Sequence, residues 1–579
     1  MLTLMAKETD PAAPSAAPAA PPSPVEAIKA NSRFLKGSLP DELAMPTDHF
    51  SEEAKNLLKF HGSYQQEDRD ARKNRSKAGV GKAYMMMIRL KLPGGKLTAG
   101  QYLAMDELAD TYANGTLRLT TRQSIQFHGI LKSNLKATIA GINDALVSTL
   151  GACGDVNRNV VSCPAPTGDP ARVQMMEMAE AVAAHLTPRA GNASYHEIWL
   201  NGDKQPDTLK TAVDEPIYGN VYLPRKFKTA FALPYDNCTD LLAQCLGYLC
   251  IVEKGKPIGY NLYVGGGQGM TNSKPDTYPL LAQPVCFLEP DQVLPAAEAV
   301  AKLYRDHGNR SDRKRARFKY VVHDWGMAKF KSVFEKDYFG RPLVPVKDAP
   351  LSGLDLHLGW HPQADGKFFR GISVENGRIH DVDGMKLRTA IREVVSTYKP
   401  SVRISCQQDI LLGDVTAANR AGVDAILAQY GVPSHENLSM ARQWSMACPA
   451  IPTCPLAITE SERALPGLIR QLETELSSLG LDREPISVRM TGCPNGCARP
   501  YQSEIGLVGR SGDKYTVYVG GDSFGRRLNS ELQDLVPRDQ IVPRLGRIFR
   551  AFAAERAGRE SFGDYCTRVG MDRLRALMA

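Results

Sequence analysis

The chain has 579 residues, 43% of them hydrophobic, and a formal net charge of +8. That length implies more than one domain, and the apolar content suffices for a large core. No run of about 18 apolar residues occurs, which excludes a spanning helix, and Met1 to Met5 is too short for a secretory core; the reading is a soluble, cytoplasmic protein whose 12 cysteines stay reduced or bind metal.

Residues 1–24 are rich in alanine and proline, cannot bury a core and read as a disordered tail. Residues 25–84 are expected to wrap the outside, with the polar and aromatic stretch Phe60 to Asp70 as a strap or site edge. A strand is predicted from Met85 to Leu92, ended by Pro93-Gly94-Gly95. Helical spacing of apolar residues runs from Thr98 to Ala113, and Gly115 stops it. Thr116 to His128 alternates in polarity and reads as another strand region.

That unit recurs. Val402 to Gly413 mirrors Leu117 to His128, and each copy follows a strand-then-helix stretch, the second from Phe369 to Tyr398. Tyr260 to Gly267 recurs as Tyr515 to Asp522 in the same order along the chain. The expectation is an α+β fold with a duplicated module, approximate two-fold symmetry and a ligand pocket between the halves. The central module combines 85–150 with 356–434, and 151–355 and 435–579 are the two repeat-related lobes.

Four cysteines near the C-terminus carry the strongest chemical signal. Cys448 and Cys454 form a Cys-x5-Cys pair, and Cys493 and Cys497 a Cys-x3-Cys pair. Four thiolates are what a 4Fe–4S cluster needs. Pro449, Pro455 and Pro494 block helix continuation, so the thiols are expected on irregular loops. Disulfides, a zinc site and simple burial are the competing readings, although zinc knuckles usually have shorter spacing.

The cations fall at Arg89, Arg118 and Arg122, Arg158, and Lys226 and Lys228. On an extended strand, Lys226 and Lys228 project to one face, where two ammonium groups repel unless an anion lies between them. Arg118, Thr120, Arg122, Gln126 and His128 are also spaced by even numbers and would share one polar face. Solvated surface residues are the ordinary alternative for each. Gly265 to Gly267 and Gly520 to Gly521 read as tight turns or close approach to a flat cofactor. No dinucleotide fingerprint occurs, so electrons are expected from another protein.

Leu117 to Gln123, Asn157 to Val160, Leu223 to Lys228, Met446 to Ala450, Cys454 to Ala457 and Thr491 to Pro500 together resemble the siroheme-containing sulfite and nitrite reductase family. The resemblance runs from about Leu57 to Tyr565. It implies duplicated ferredoxin-like modules around siroheme and a 4Fe–4S cluster. By it, Cys448, Cys454, Cys493 and Cys497 hold the cluster, and Cys497 also bridges to the siroheme iron. Arg118, Thr120, Arg122, Gln126 and His128 would contact the siroheme. Arg89, Arg158, Lys226 and Lys228 match the family's anion-binding catalytic cations.

Sulfite is the expected substrate, because two lysines suit a dianion better than monoanionic nitrite. Nitrite is the alternative. The resemblance implies an electron-donor protein, either a ferredoxin or an NADPH-dependent flavoprotein subunit, which the basic balance would help to dock. No membrane partner and no specific nucleic acid are expected. An iron–sulfur nucleic-acid-binding protein is the remote alternative, disfavoured because the cations are scattered rather than gathered in a stripe.

Overall fold

Two sheets of one design lie at the centre of this computed structural model, which describes residues 20–189, 215–578 and the short strands Trp199–Leu200 and Asp203–Lys204. The expected tail therefore lies outside the described residues as far as residue 19. In the first sheet the strand order is Ser63–Glu67, Tyr84–Arg89, Ile125–Ile130, Leu117–Leu119 and Arg378–Ile379. In the second it is Gly359–Pro362, Phe368–Ile372, Ile410–Val415, Ser401–Ile404 and Lys96–Leu97. Each half lends its short strand to the other: Lys96 and Leu97 pair with Arg403 and Val402, while Arg378 and Ile379 pair with Arg118 and Leu117.

Local chemistry explains the helix of the first half. Thr98 Oγ1 accepts from Gln101 N at 3.2 Å, and Thr98 N donates to Gln101 Oε1 at 3.0 Å. This capping box starts Ala99–Tyr112. Tyr102, Met105 and Ala109 face the core with Met86, Ile88, Leu117, Leu119, Ile125 and Phe127. In the second half, Leu387–Tyr398 buries Ala390, Ile391, Val394 and Val395 in the same manner.

Thr116 to His128 is a hairpin rather than one continuous strand. Leu117–Leu119 and Ile125–Ile130 are antiparallel, and Gln123 takes a left-handed φ of 50° between them. Tertiary bonds hold that unusual backbone: Gln123 Nε2 donates to Ser162 O at 2.7 Å and Ile404 O at 3.0 Å. The copy repeats the device, with Gln408 at φ 76° donating to Ala447 O at 3.0 Å.

The two lobes share a second plan. In the first, Val161 bridges Ala230 in parallel, and Thr229–Ala232 runs parallel to Leu246–Glu253. Lys256–Val264 and Gln283–Leu288 then follow antiparallel. In the second, Ser445–Ala447, Val488–Thr491 and Ile505–Ser511 are parallel, and Lys514–Val519 and Ser530–Pro537 follow antiparallel. Gly265 and Gly520 end corresponding strands with the same φ of 89°.

The glycines after those strands approach protein rather than open space. A Cβ on Gly266 would lie 2.2 Å from Leu242 O, and one on Gly521 2.2 Å from Ser503 O. At these two positions the close approach is to backbone, whereas Gly265 and Gly267 approach the side chains of Val322 and Arg317.

Residues 25–84 contact several parts of the molecule. Buried Lys29 donates to Leu223 O at 2.8 Å and pairs with Glu26 at 2.7 Å. Lys132 Nζ reaches Met45 O at 3.3 Å. Ser63–Glu67 is more than a surface strap, since it pairs along its length with Tyr84–Ile88 in the first sheet.

Candidate active site

The four cysteines gather beyond two strand ends. Ala447 pairs with Met490 in parallel strands, so Cys448 and Cys493 leave the sheet side by side. Pro449 and Pro494 have no N–H to extend the ladder. Gly492 N donates to Cys448 Sγ at 3.4 Å, and Asn495 Nδ2 to Cys493 Sγ at 3.4 Å. Cys454 N donates to Ala450 O at 2.8 Å, and Arg69 Nη1 holds Cys454 O from outside at 3.1 Å. Cys497 is exposed, and its carbonyl accepts from Thr121 Oγ1 at 3.1 Å.

All 12 cysteines are free thiols. Burial first, then Cys497, Cys493 and Cys454, raises the Cys448 thiol well above its usual range. Burial, then Cys497 and Cys493, pushes Cys454 up to about 12. Such mutual repulsion in an apolar pocket lined by Met446, Ala450, Ala457 and Ala498 calls for positive charge at its centre. Among the described residues, no three of these sulfurs lie within 4.8 Å of one another. Thiolates on one tetrahedral ion stand about 3.8 Å apart, so a single zinc does not fit. Four cysteine thiols are the donor set that an iron–sulfur cluster takes.

Facing Cys497 is a bank of cations. The extended segment Lys226-Phe227-Lys228 buries Phe227, which bridges Asn157, and leaves both lysines partly exposed. Burial first, then Arg317, Arg158 and Arg225, lowers Lys226 to about 7. Burial, then Arg122, Lys226 and Arg317, holds Lys228 well below the usual lysine range. Cys497 acts on both in the opposite sense. Neither ammonium group has an ion-pair partner among the described residues.

Arg89 and Arg158 meet at Tyr64 and Cys153. Arg89 Nη1 donates to Cys153 Sγ at 3.2 Å, and Arg158 Nε to Gly154 O at 3.2 Å. Burial, opposed by Arg158 and Arg89, raises Tyr64 to about 12. Gln126, with its amide oxygen turned inward, accepts from Arg89 Nε at 3.2 Å and Nη2 at 2.6 Å.

The hairpin splits the set expected on one face. Arg89, Gln126 and Arg118 form a rank across three adjacent strands. Arg118 is committed to protein: Nε donates to Glu462 Oε2 at 2.7 Å and Nη2 to Ala447 O at 2.8 Å, beside Cys448. Arg122 sits at the hairpin tip, where Nη1 donates to Gln244 Oε1 at 2.8 Å and Nη2 to Thr229 O at 3.1 Å. Thr120 Oγ1 accepts from Arg122 N at 3.2 Å. His128 is buried with neither ring nitrogen partnered, and burial together with Arg378 keeps it neutral.

Sequence reasoning missed Arg225, Arg317, Tyr64 and Cys153. Arg225 lies inside the Leu223 to Lys228 motif, and Arg317 alternates with Arg315 and Lys319, which are the signals available. Tyr64 carries none. Missed too was Asp240, fully buried in the first lobe, which accepts from Arg489 Nη1 at 2.8 Å and from Arg499 in the second. Arg122 Nε, Arg317 Nε and Arg489 Nε are buried without partners. Arg122 and Arg317 lie around Lys228 together with Cys497, and their unspent cationic N–H groups fit a carboxylate-rich macrocycle such as siroheme.

Comparison with known proteins shows the family. Residues 177–343 and 444–579 match the nitrite and sulphite reductase 4Fe-4S domain. Residues 80–145 and 361–430 each match the nitrite/sulfite reductase ferredoxin-like half domain. A sulfite reductase (ferredoxin) of Synechococcus elongatus is 44% identical, with 95% of this chain and 90% of that protein covered. A sulfite reductase (NADPH) hemoprotein beta-component of a Paenibacillus species is 43% identical, covering 94% and 95%. The structure of the Mycobacterium tuberculosis NirA protein shares the fold, with a TM-score of 0.75 at 24% identity over 94% of this chain and 95% of that one. The chain is thus a member of the nitrite and sulfite reductase family, built from duplicated ferredoxin-like halves and a 4Fe–4S domain.

Proposed function

We propose that the protein is an assimilatory, cytoplasmic sulfite reductase, carrying sulfite to sulfide by six electrons. Three oxygens leave as water and take up six protons. Siroheme and a 4Fe–4S cluster, when bound, would relay the donor's electrons and provide the site at which sulfur is held. Cys448, Cys454, Cys493 and Cys497 hold the cluster, and Cys497 also serves the siroheme. Arg122 and Thr120 at the hairpin tip would line the macrocycle, whereas Gln126 and His128 lie in the sheet beside Arg89 and Arg118. Arg118 acts one step back, bracing the Ala447 carbonyl beside the cluster loop.

The observation that carries the reading is the lysine pair opposite Cys497, with no carboxylate among the described residues to neutralise it. Arg89, Arg158, Lys226 and Lys228 would orient the anion by its oxygens and favour negative charge there. Lys226, lowered to about 7, is poised to give up a proton near neutral pH. Two cations suit sulfite better than nitrite.

Electrons come from a separate protein. The relatives' names give ferredoxin and NADPH, and the family resemblance implies a flavoprotein subunit as the link to NADPH. The test is turnover of sulfite and nitrite side by side with a viologen reductant, then with each donor class. Preferential sulfide formation from sulfite supports the proposal. Faster nitrite turnover, or purified protein without the siroheme chromophore, sinks it.

A further inference from the structure

The shared lobe plan makes residues of the two lobes counterparts by register. Ala230 pairs with Val161 on one side and Gly247 on the other; Arg489 pairs with Met446 and Gly506 in the same way. Counting outward from those pairs, Cys163 occupies the position of Cys448, and Cys238 that of Cys497. Pro234 stands where the second lobe has Cys493. The first lobe thus retains two of the thiols at its counterpart of the cluster site.

Beside them it places a different pair of ligands. Cys163, Asp236, Cys238 and His357 are all buried, and one ligand atom of each lies within 4.8 Å of the others. Cys163 Sγ is 3.0 Å from Asp236 Oδ2 and 3.4 Å from His357 Nε2, which is itself 3.2 Å from Asp236 Oδ2. A tetrahedral zinc site with N, O and S ligands has edges of about 3.3–3.8 Å. The group is close to that size before any ion enters.

The surroundings are arranged for it. His357 Nδ1 stands 3.4 Å from Asp355 Oδ2, and His357 N donates to Asp355 Oδ1 at 2.7 Å, so the carboxylate turns Nε2 toward the two thiols. Carboxylates in this position are the usual support of metal-binding histidines. His357 has a left-handed φ of 59°, and a Cβ on Gly371 would fall 1.8 Å from its carbonyl oxygen. Only glycine lets the neighbouring strand close on that backbone. Arg172 adds one positive charge, with Nη2 3.1 Å from Asp236 Oδ2 and Nε 3.4 Å from Cys163 Sγ. Two thiolates and a carboxylate are then balanced by Arg172 and a divalent ion.

We propose that Cys163, Cys238, Asp236 and His357 bind one zinc ion, at the symmetry counterpart of the iron–sulfur site. Four protein ligands leave no open position, so its role is structural. It ties the segment after Val161 and the turn after Ala232 to the chain entering the second ferredoxin-like half at Gly359.

The test is elemental analysis of holoenzyme from zinc-supplemented cells, purified without chelator and measured again after incubation with Zn²⁺ and desalting. About one zinc per chain is expected in addition to the iron. Cys238→Ser and His357→Gln should lose the zinc while keeping iron content and visible absorption. Should both variants fail to fold, the wild type decides: Cys163 and Cys238 should resist alkylation and become reactive on chelation. Zinc below about a tenth per chain after incubation overturns the proposal. So does a Cys163–Cys238 disulfide in non-reducing peptide maps, or full zinc retention in folded Cys238→Ser.

Discussion

Glu462→Gln tests whether the buried Arg118 holds the cluster loop in place. Glu462 pairs with Arg118 at 2.7 Å and with Arg378 at 2.7 Å, and Arg118 in turn holds the carbonyl of Ala447, next to Cys448. Arg118 and Arg378 pull the Glu462 carboxyl from 4.5 to about 2, against burial. A drop of that size is worth about 3 kcal/mol. Removing one partner of a buried pair costs about 3–5 kcal/mol, because Arg118 would be left charged and unpaired. The two figures agree. If the cluster escapes through local opening of this loop, about 3 kcal/mol raises the open population up to about 100-fold. The assay is the rate of loss of cluster absorption and acid-labile sulfide from the holoenzyme during mild warming. Loss within about twofold of the wild-type rate would refute the argument. The carboxyl's contribution is complete above pH 4.5 and disappears as pH falls through about 2, so the variant's deficit should be full at neutral pH.

Two further outcomes follow from buried charges. Lys226 loses its proton as pH rises through about 7, so the wild-type KM for sulfite should climb above that pH relative to Lys226→Arg, whose guanidinium stays charged; superimposable profiles would remove Lys226 from anion binding. Asp409 is buried and raised from 3.8 to about 8, so its carboxylate weakens the fold increasingly as pH rises between those values. Asp409→Asn keeps the oxygen that accepts from Val374 N at 2.9 Å and should match or exceed wild-type stability at pH 8 in urea unfolding, by up to about 3 kcal/mol. A loss of stability there would show that Asp409 is used as an anion.

Much of the architecture was legible because the repeats preserve local patterns. Apolar spacing from Thr98 to Ala113 announced a helix whose bounds, Ala99–Tyr112, fall within a residue of it. The pairing of Tyr260 to Gly267 with Tyr515 to Asp522 located corresponding strands in both lobes. The hairpin at Gln123 escaped because alternation continues on either side of a turn that has neither glycine nor proline. Its cause lies in Ser162 and Ile404, distant in the chain. The same limit applied to Arg118. Even spacing marked it as one of a cationic set, but its partner Glu462 is 344 residues away, and no periodicity connects them. Lys226 and Lys228 were readable as a pair, whereas Arg317, which crowds them, comes from another helix entry altogether.

The exchange of edge strands has a consequence for biosynthesis. Leu117–Leu119 waits for Arg378–Ile379, and Lys96–Leu97 has no partner until Ser401–Ile404 has been made. During translation the N-terminal half must therefore expose an unfinished sheet margin while the ribosome completes the middle of the chain. Dividing the polypeptide between the halves would leave both pieces with an open flank, so the two halves of this chain complete each other only when joined.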